Sequence, residues 1–161
     1  MTKFHVLGTI AYQGETMQFI KVRDVKSPAR GTDESAGLDF FVPEDVQPTM
    51  LYPGQSTNIP SGIKMILPIG KAGIFFNKSG VGVKGILVGA CVVDSDYRGE
   101  VHLNVVNTTE DLIYRIEPGK KLVQMVVLDV DLSMPREITQ TEFDLQSITQ
   151  RGTGGFGSTG A

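Results

Sequence analysis

Short apolar runs cut by Gly and Pro, with almost nothing at helical period, predict a chain made of strands. The runs are Phe19 to Val22, Leu38 to Val42, Thr57 to Ile59, Ile63 to Leu67, Gly73 to Phe76, Ile86 to Val93, Val101 to Val106, Leu112 to Ile116 and Lys121 to Val130. Pro43, Pro48, Pro53, Pro60, Pro68 and Pro118 fall between them, where a ladder loses its donor. Turn signals every ten residues or so predict an all-β sandwich or barrel, and a single-domain jelly roll is the expected form. Ser79 to Lys84 reads either as a helix start or as a tight glycine-bearing loop. Three segments follow from the pattern: a β-rich core over 1–131, a polar connecting segment over 132–150, and a glycine-rich arm over 151–161.

The stretch Ile86 to Val106 carries the strongest local signal. An apolar run leads into Asp94-Ser95-Asp96-Tyr97-Arg98-Gly99, and then Val101, Leu103 and Val105 alternate on one face, which predicts a hairpin. A carboxylate at the mouth of a rigid hairpin can hold a water, and a nearby tyrosine ring can cover a flat ligand. Taken alone, an Asp-Ser-Asp turn is more commonly just solvated.

Composition narrows the function classes. A chain of 161 residues supports one domain with a real core. Net charge of −3 gives no basic face for nucleic acid, although a few placed cations can still bind a free nucleotide. With one cysteine, Cys91, no disulfide can form within the chain, and His5 and His102 lack the ligand spacing of a zinc site. No run has the length of a membrane helix and the first residues do not read as a signal peptide, so a soluble, intracellular, cytoplasmic protein without a membrane partner is expected.

Other residues offer chemistry at lower specificity. Lys78-Ser79-Gly80 combines charge, hydroxyl and close backbone approach, all useful to a phosphate, but the tripeptide is common. Asp39 alternates with Leu38 and Phe40 and so should face the side opposite them, where the plain reading is an exposed strand residue. Gln124 sits polar among Val123, Met125 and Val126. The tail offers Arg151 as a bidentate donor, flexible glycines, and Phe156 as its one large apolar side chain.

Five stretches taken together resemble the trimeric dUTPase family: SAGLDF (Ser35 to Phe40), NKSG (Asn77 to Gly80), the hairpin, PGKKLVQM (Pro118 to Met125) and RGTGGFGSTG (Arg151 to Gly160). The resemblance implies a jelly-roll dUTPase fold and hydrolysis of dUTP to dUMP and pyrophosphate, lowering dUTP and supplying dUMP for thymidylate synthesis. It implies Asp94 as the base for water attack at the α-phosphorus and Tyr97 packed on the deoxyribose. The uracil would be read by backbone groups at Cys91, Val92, Val93 and His102. Lys78, Ser79, Gly80 and Gln124 would meet phosphates, and Asp39 would hold a water of a Mg²⁺ ion. Phe156 would stack on the uracil, Arg151, Ser158 and Thr159 would meet the terminal phosphate, and Gly157 would belong to the same contact. A homotrimer with shared active sites is implied as well. The chain departs from the family pattern at Lys78 (commonly Arg), Cys91 (frequently Gly), Lys120 (commonly Asp) and Lys121 (commonly Arg), so any ion pair of the last two is expected to be lost or rearranged. Two rival readings are a dCTP deaminase, against which stands Asn104 where those enzymes carry a catalytic Glu, and a nucleotide-responsive binding protein.

Overall fold

In the computed structural model of the chain, residues 16–155 are described. Among the described residues, ten strands and two short helices occur in the order β1 (Gln18–Lys21), β2 (Leu38–Phe41), β3 (Thr49–Leu51), β4 (Ser56–Ile66), β5 (Lys71–Asn77), α1 (Ser79–Gly82), β6 (Ile86–Val88), β7 (Val92–Val93), β8 (Glu100–Asn107), β9 (Tyr114–Ile116), β10 (Lys121–Asp129) and α2 (Gln140–Gln146). All pairings are antiparallel. One sheet has the order β1-β4-β8-β6, a second β2-β10-β5-β7, and β3 and β9 form a separate ribbon. The all-β expectation is met. The described chain divides into two compact units that meet between Asp131 and Leu132.

The two four-stranded sheets share one apolar cluster. From the first come Ile59, Ile63, Met65, Val101, Leu103 and Val105, and from the second Phe40, Phe75, Leu122, Val123 and Met125. Strict alternation on β8 buries Val101, Leu103, Val105 and Asn107 while Glu100, His102, Asn104 and Val106 face away. Asn107 is tolerated in the core because its amide is satisfied: Nδ2 donates to the carbonyls of Leu51 and Leu112, and Oδ1 accepts from Thr109.

Three expectations about elements need correction. Thr57–Ile59 and Ile63–Leu67 are one strand, β4, running through Pro60. The Asn107 N–H donates to the Gln55 carbonyl, so by the two-residue alternation the bonded pairs with β8 fall at Thr57 and Ile59, and Pro60 opposite His102 needs no donor there. Just beyond it β4 bulges at Gly62, whose φ of 73° favours glycine and whose N–H donates to Glu100 Oε1 at 2.8 Å. Second, Ile86 to Val93 is not one strand: β6 pairs with β8 in one sheet, and β7 pairs with β5 in the other. Third, of the two readings of Ser79 to Lys84 the helix is the one formed, and the polar connecting segment, where no helix was expected, holds a second. Helix α2 is set by a capping box in which Thr139 Oγ1 accepts from the Glu142 N–H and the Glu142 carboxylate accepts from the Thr139 N–H.

Candidate active site

The division of the Ile86–Val93 run between two sheets creates the first part of the site. Gly89 N–H donates to the Asn104 carbonyl at 3.1 Å, continuing the β6–β8 ladder by one step. Two residues on, Cys91 would face His102 if that ladder persisted. Instead the Cys91 carbonyl accepts from Phe75 N–H of β5 at 2.8 Å. The chain has changed sheets, and the same alternation aims the His102 N–H and C=O into the gap it leaves. That gap is a slot of about 230 Å³ lined by Asn58, Phe75, Ala90, Cys91, Val92, Val93, Asp94, Tyr97, Val101 and His102. Main-chain groups at such a gap can read the edge of a flat heterocycle without any particular side chain.

The turn at the mouth is tightly tied. Tyr97 N–H donates to the Asp94 carbonyl at 3.2 Å, and Arg98 Nη1 donates to the carbonyls of Ser95 and Tyr97. The Tyr97 hydroxyl donates to the Glu100 carbonyl at 2.9 Å, and the His102 ring donates from Nδ1 to that same carbonyl at 2.9 Å. Glu100 in turn is anchored by the Gly62 N–H and by Arg23 Nε at 2.9 Å. Asp94 is exposed, and no side chain or N–H among the described residues is bonded to its carboxylate. It is free to order a water. The larger cavity of about 580 Å³, against β1, is lined by Met17, Phe19, Ile20, Met65 and Ile66 with Gln18, Lys64 and Arg98. It has no carboxylate to activate a water, whereas the slot has Asp94 at its mouth, which makes the slot the chemical candidate.

A second cluster gathers on the β2–β10–β5 sheet. Asp39 is not an exposed strand residue: it is only 5% exposed. The reason is a pair of cations. Lys78 Nζ bonds Asp39 Oδ1, and Lys121 Nζ reaches Oδ2 at 2.8 Å. Burial on its own pushes the carboxyl up, but the hydrogen bonds from Lys121 and Lys78 outweigh it and hold the group below its ordinary value. The ion pair involving Lys121 is therefore rearranged onto Asp39 rather than lost. Gln124, opposite Asp39 in register, donates from Nε2 to the Asn77 carbonyl at 2.9 Å, and Asn77 Oδ1 accepts from Val88 N–H at 2.7 Å. Lys78 precedes α1, where Ser79 and Gly80 are exposed. Each carboxylate oxygen of Asp39 holds one cation and has a further lone-pair direction, so it can still accept a metal-bound water. It fits Mg²⁺ only at that distance, since among the described residues no three of His, Cys, Asp and Glu cluster as a metal cage.

The slot residues and the phosphate-type residues are brought into two groups, not one. Asp94, Cys91, Val92, Val93, Tyr97 and His102 line the slot, whereas Lys78, Ser79, Gly80, Gln124 and Asp39 do not. Arg151 donates from Nε to the Gly154 carbonyl at 2.8 Å. Phe156, Gly157, Ser158 and Thr159 lie outside the described residues. Sequence reasoning missed Asn58, Phe75, Ala90 and Val101 as slot walls and Lys121 as an Asp39 partner. The opposite charges of Asp39 and Lys121, in motifs that end on neighbouring strands, were a signal for the last. The slot walls follow from strand register, which has no local signal.

The chain is a β sandwich in which one stretch passes from one sheet to the other beside an exposed carboxylate, while a buried aspartate of the second sheet pairs with two lysines. The chain belongs to the dUTPase family, whose sequence model matches residues 23–160, and it is a dUTP diphosphatase. It is 36% identical over 144 residues to the deoxyuridine 5'-triphosphate nucleotidohydrolase of Debaryomyces hansenii, covering 88% of this chain and 85% of that protein. The corresponding protein of Hahella chejuensis is 40% identical over 141 residues, covering 85% and 88%. Among solved structures, the fold superimposes on a Staphylococcus bacteriophage 80alpha dUTPase with dUpNHpp at a TM-score of 0.78, with 23% identity, covering 92% of this chain and all of that one. The dUTPase of S. aureus phage phi11, described with a structural Mg(II) ion, gives 0.69 at 22% identity, covering 78% and 97%.

Proposed function

We propose that the slot binds the uracil and deoxyribose of dUTP and that Asp94 activates the water that attacks the α-phosphorus, releasing dUMP and pyrophosphate. The observation that carries this is the sheet switch at Cys91, which leaves the His102 N–H and C=O beside a carboxylate with no bonded donor. A pyrimidine edge with a donor between two acceptors suits such main-chain groups. Asp94 would take the proton of the attacking water, help worth typically 10²–10⁴-fold. The Tyr97 ring, held by the Glu100 carbonyl, would lie on the sugar and leave no room for a 2′-hydroxyl. Lys78, Ser79, Gly80 and Gln124 would meet the phosphates and offset charge as it grows on them. Asp39 would hold a water of Mg²⁺ travelling on the triphosphate, an ion that when bound neutralises phosphate charge.

The slot alone is smaller than the roughly 300–1,000 Å³ that enclose whole ligands, and the phosphate cluster lies on other residues. This supports a homotrimer in which subunits share sites, with Arg151, Phe156, Gly157, Ser158 and Thr159 of an arm completing each one. Incubating purified protein with each dNTP and Mg²⁺, and measuring pyrophosphate, tests the reading. Release from dUTP far above the others is expected; equal release from dCTP or dTTP would contradict it.

A further inference from the structure

The slot exists only because the chain leaves β8 between Gly89 and Cys91, and one side chain holds that departure. Asn104 Oδ1 accepts the Ala90 N–H at 3.1 Å, while the Asn104 carbonyl accepts the Gly89 N–H. Asn104 thus grips two successive residues, one through its backbone and one through its amide. The second bond is what a regular ladder cannot make, because in a continuing strand the Ala90 N–H would point away from β8. Gly89 makes room for it: a Cβ there would lie 2.0 Å from Asn104 Oδ1 and 3.4 Å from Val106 Cγ2. Beyond this clamp come Cys91 to Val93, the slot's wall opposite His102. Asn104 itself does not line the slot.

We infer that Asn104 is a positioning residue for base recognition: its side-chain amide fixes the Gly89–Cys91 crossing and so sets the width of the slot. This rests on the reading of the slot as the base site. An uncapped Ala90 N–H would let the crossing slacken, and bound uracil would then have to order it again. The cost falls on nucleotide binding and spares the Asp94 chemistry. A carboxylate at this position keeps the acceptor, so Asp can replace Asn in this role, while an apolar residue cannot.

The test uses the full chain and compares Asn104→Ala with Asn104→Asp. Asn104→Ala should raise KM for dUTP by about tenfold, the size of one net hydrogen bond, with kcat changed less than about twofold. Asn104→Asp should restore KM to within about threefold of the parent. Hydrogen exchange should quicken over 89–93 in Asn104→Ala and not over β10. An unchanged KM in a folded Asn104→Ala, or a fall in kcat and Tm that Asn104→Asp does not rescue, would overturn the inference. If Asn104→Ala does not fold, Gly89→Ala leaves Asn104 in place while its Cβ displaces the amide, and it must show the same KM rise. The underlying reading is checked separately in the unsubstituted protein: dUDP should slow exchange over 89–93. Absence of that protection would refute the base site itself, whatever the variants do.

Discussion

The proposed base slot and the proposed phosphate cluster would solve recognition by opposite means. The slot is assembled from main-chain groups exposed where the chain changes sheets, so its side chains, Cys91 among them, would be free to vary. The phosphate cluster is assembled from charged side chains that are already paired: Asp39, buried, is flanked by Lys78 and Lys121. Main-chain readout depends on register, and paired-charge readout depends on residue identity. Substitutions should therefore act through chemistry at Asp94, through geometry in the slot, and through charge in the cluster.

The largest effect is expected at the mouth of the slot. Asp94→Asn keeps the shape but cannot accept a proton, and should lower kcat by at least about 10²-fold with dUTP affinity nearly intact, measured by turnover and by calorimetric binding. Retention within about tenfold would remove Asp94 as the base. Next, Asp39→Asn leaves two ammonium groups without their shared counter-ion. Both lysines reach solvent, with side chains 27% and 48% exposed, so the loss should fall below that of a fully buried pair. About 2 kcal/mol is expected, seen as a Tm drop of roughly 4–8 °C. A drop of that size from Cys91→Gly in the slot would erase the contrast between the two regions.

The pH dependence follows from the sign of the Asp39 shift. Its carboxyl lies below the ordinary value in the folded chain, so its stabilisation is complete above about pH 4 and disappears as pH falls through the lower folded value. The Tm gap between the parent and Asp39→Asn should stay constant from pH 7 to about 5 and close in stronger acid. A gap that closed near neutrality would mean the pairing is not what holds Asp39. The smallest effect is expected at Tyr97. Tyr97→Phe loses one hydrogen bond at an exposed site, so kcat/KM for dUTP should fall no more than about tenfold, whereas Tyr97→Ala should narrow the preference for dUTP over UTP.

The slot and the cluster also differ in how far the residues alone disclosed them. Asp94, Tyr97 and Gln124 stand out because they interrupt apolar alternation, and the strand-rich class follows from Gly and Pro punctuation. The Ile86–Val93 run looks like one strand because all its residues suit a strand. Its division at Gly89 depends on Asn104, fifteen positions later, and no local pattern encodes it. Asp39 reads by period two as an exposed strand residue, and its burial depends on lysines contributed by two other segments. Long-range pairing decided both, so neither was legible.

The central claim is that one catalytic site unites the slot of one subunit with the phosphate cluster of another. Subunit mixing tests it most directly. Asp94→Asn chains and Lys78→Ala/Gln124→Ala chains, differently tagged and each inactive or nearly so, would be refolded together and mixed oligomers isolated through both tags. The account predicts that pyrophosphate release from dUTP returns to a substantial fraction of the parent rate, because some sites pair an intact Asp94 with an intact phosphate cluster from a different chain. Mixed oligomers as inactive as either parent would contradict it, placing slot and cluster of one site within a single subunit.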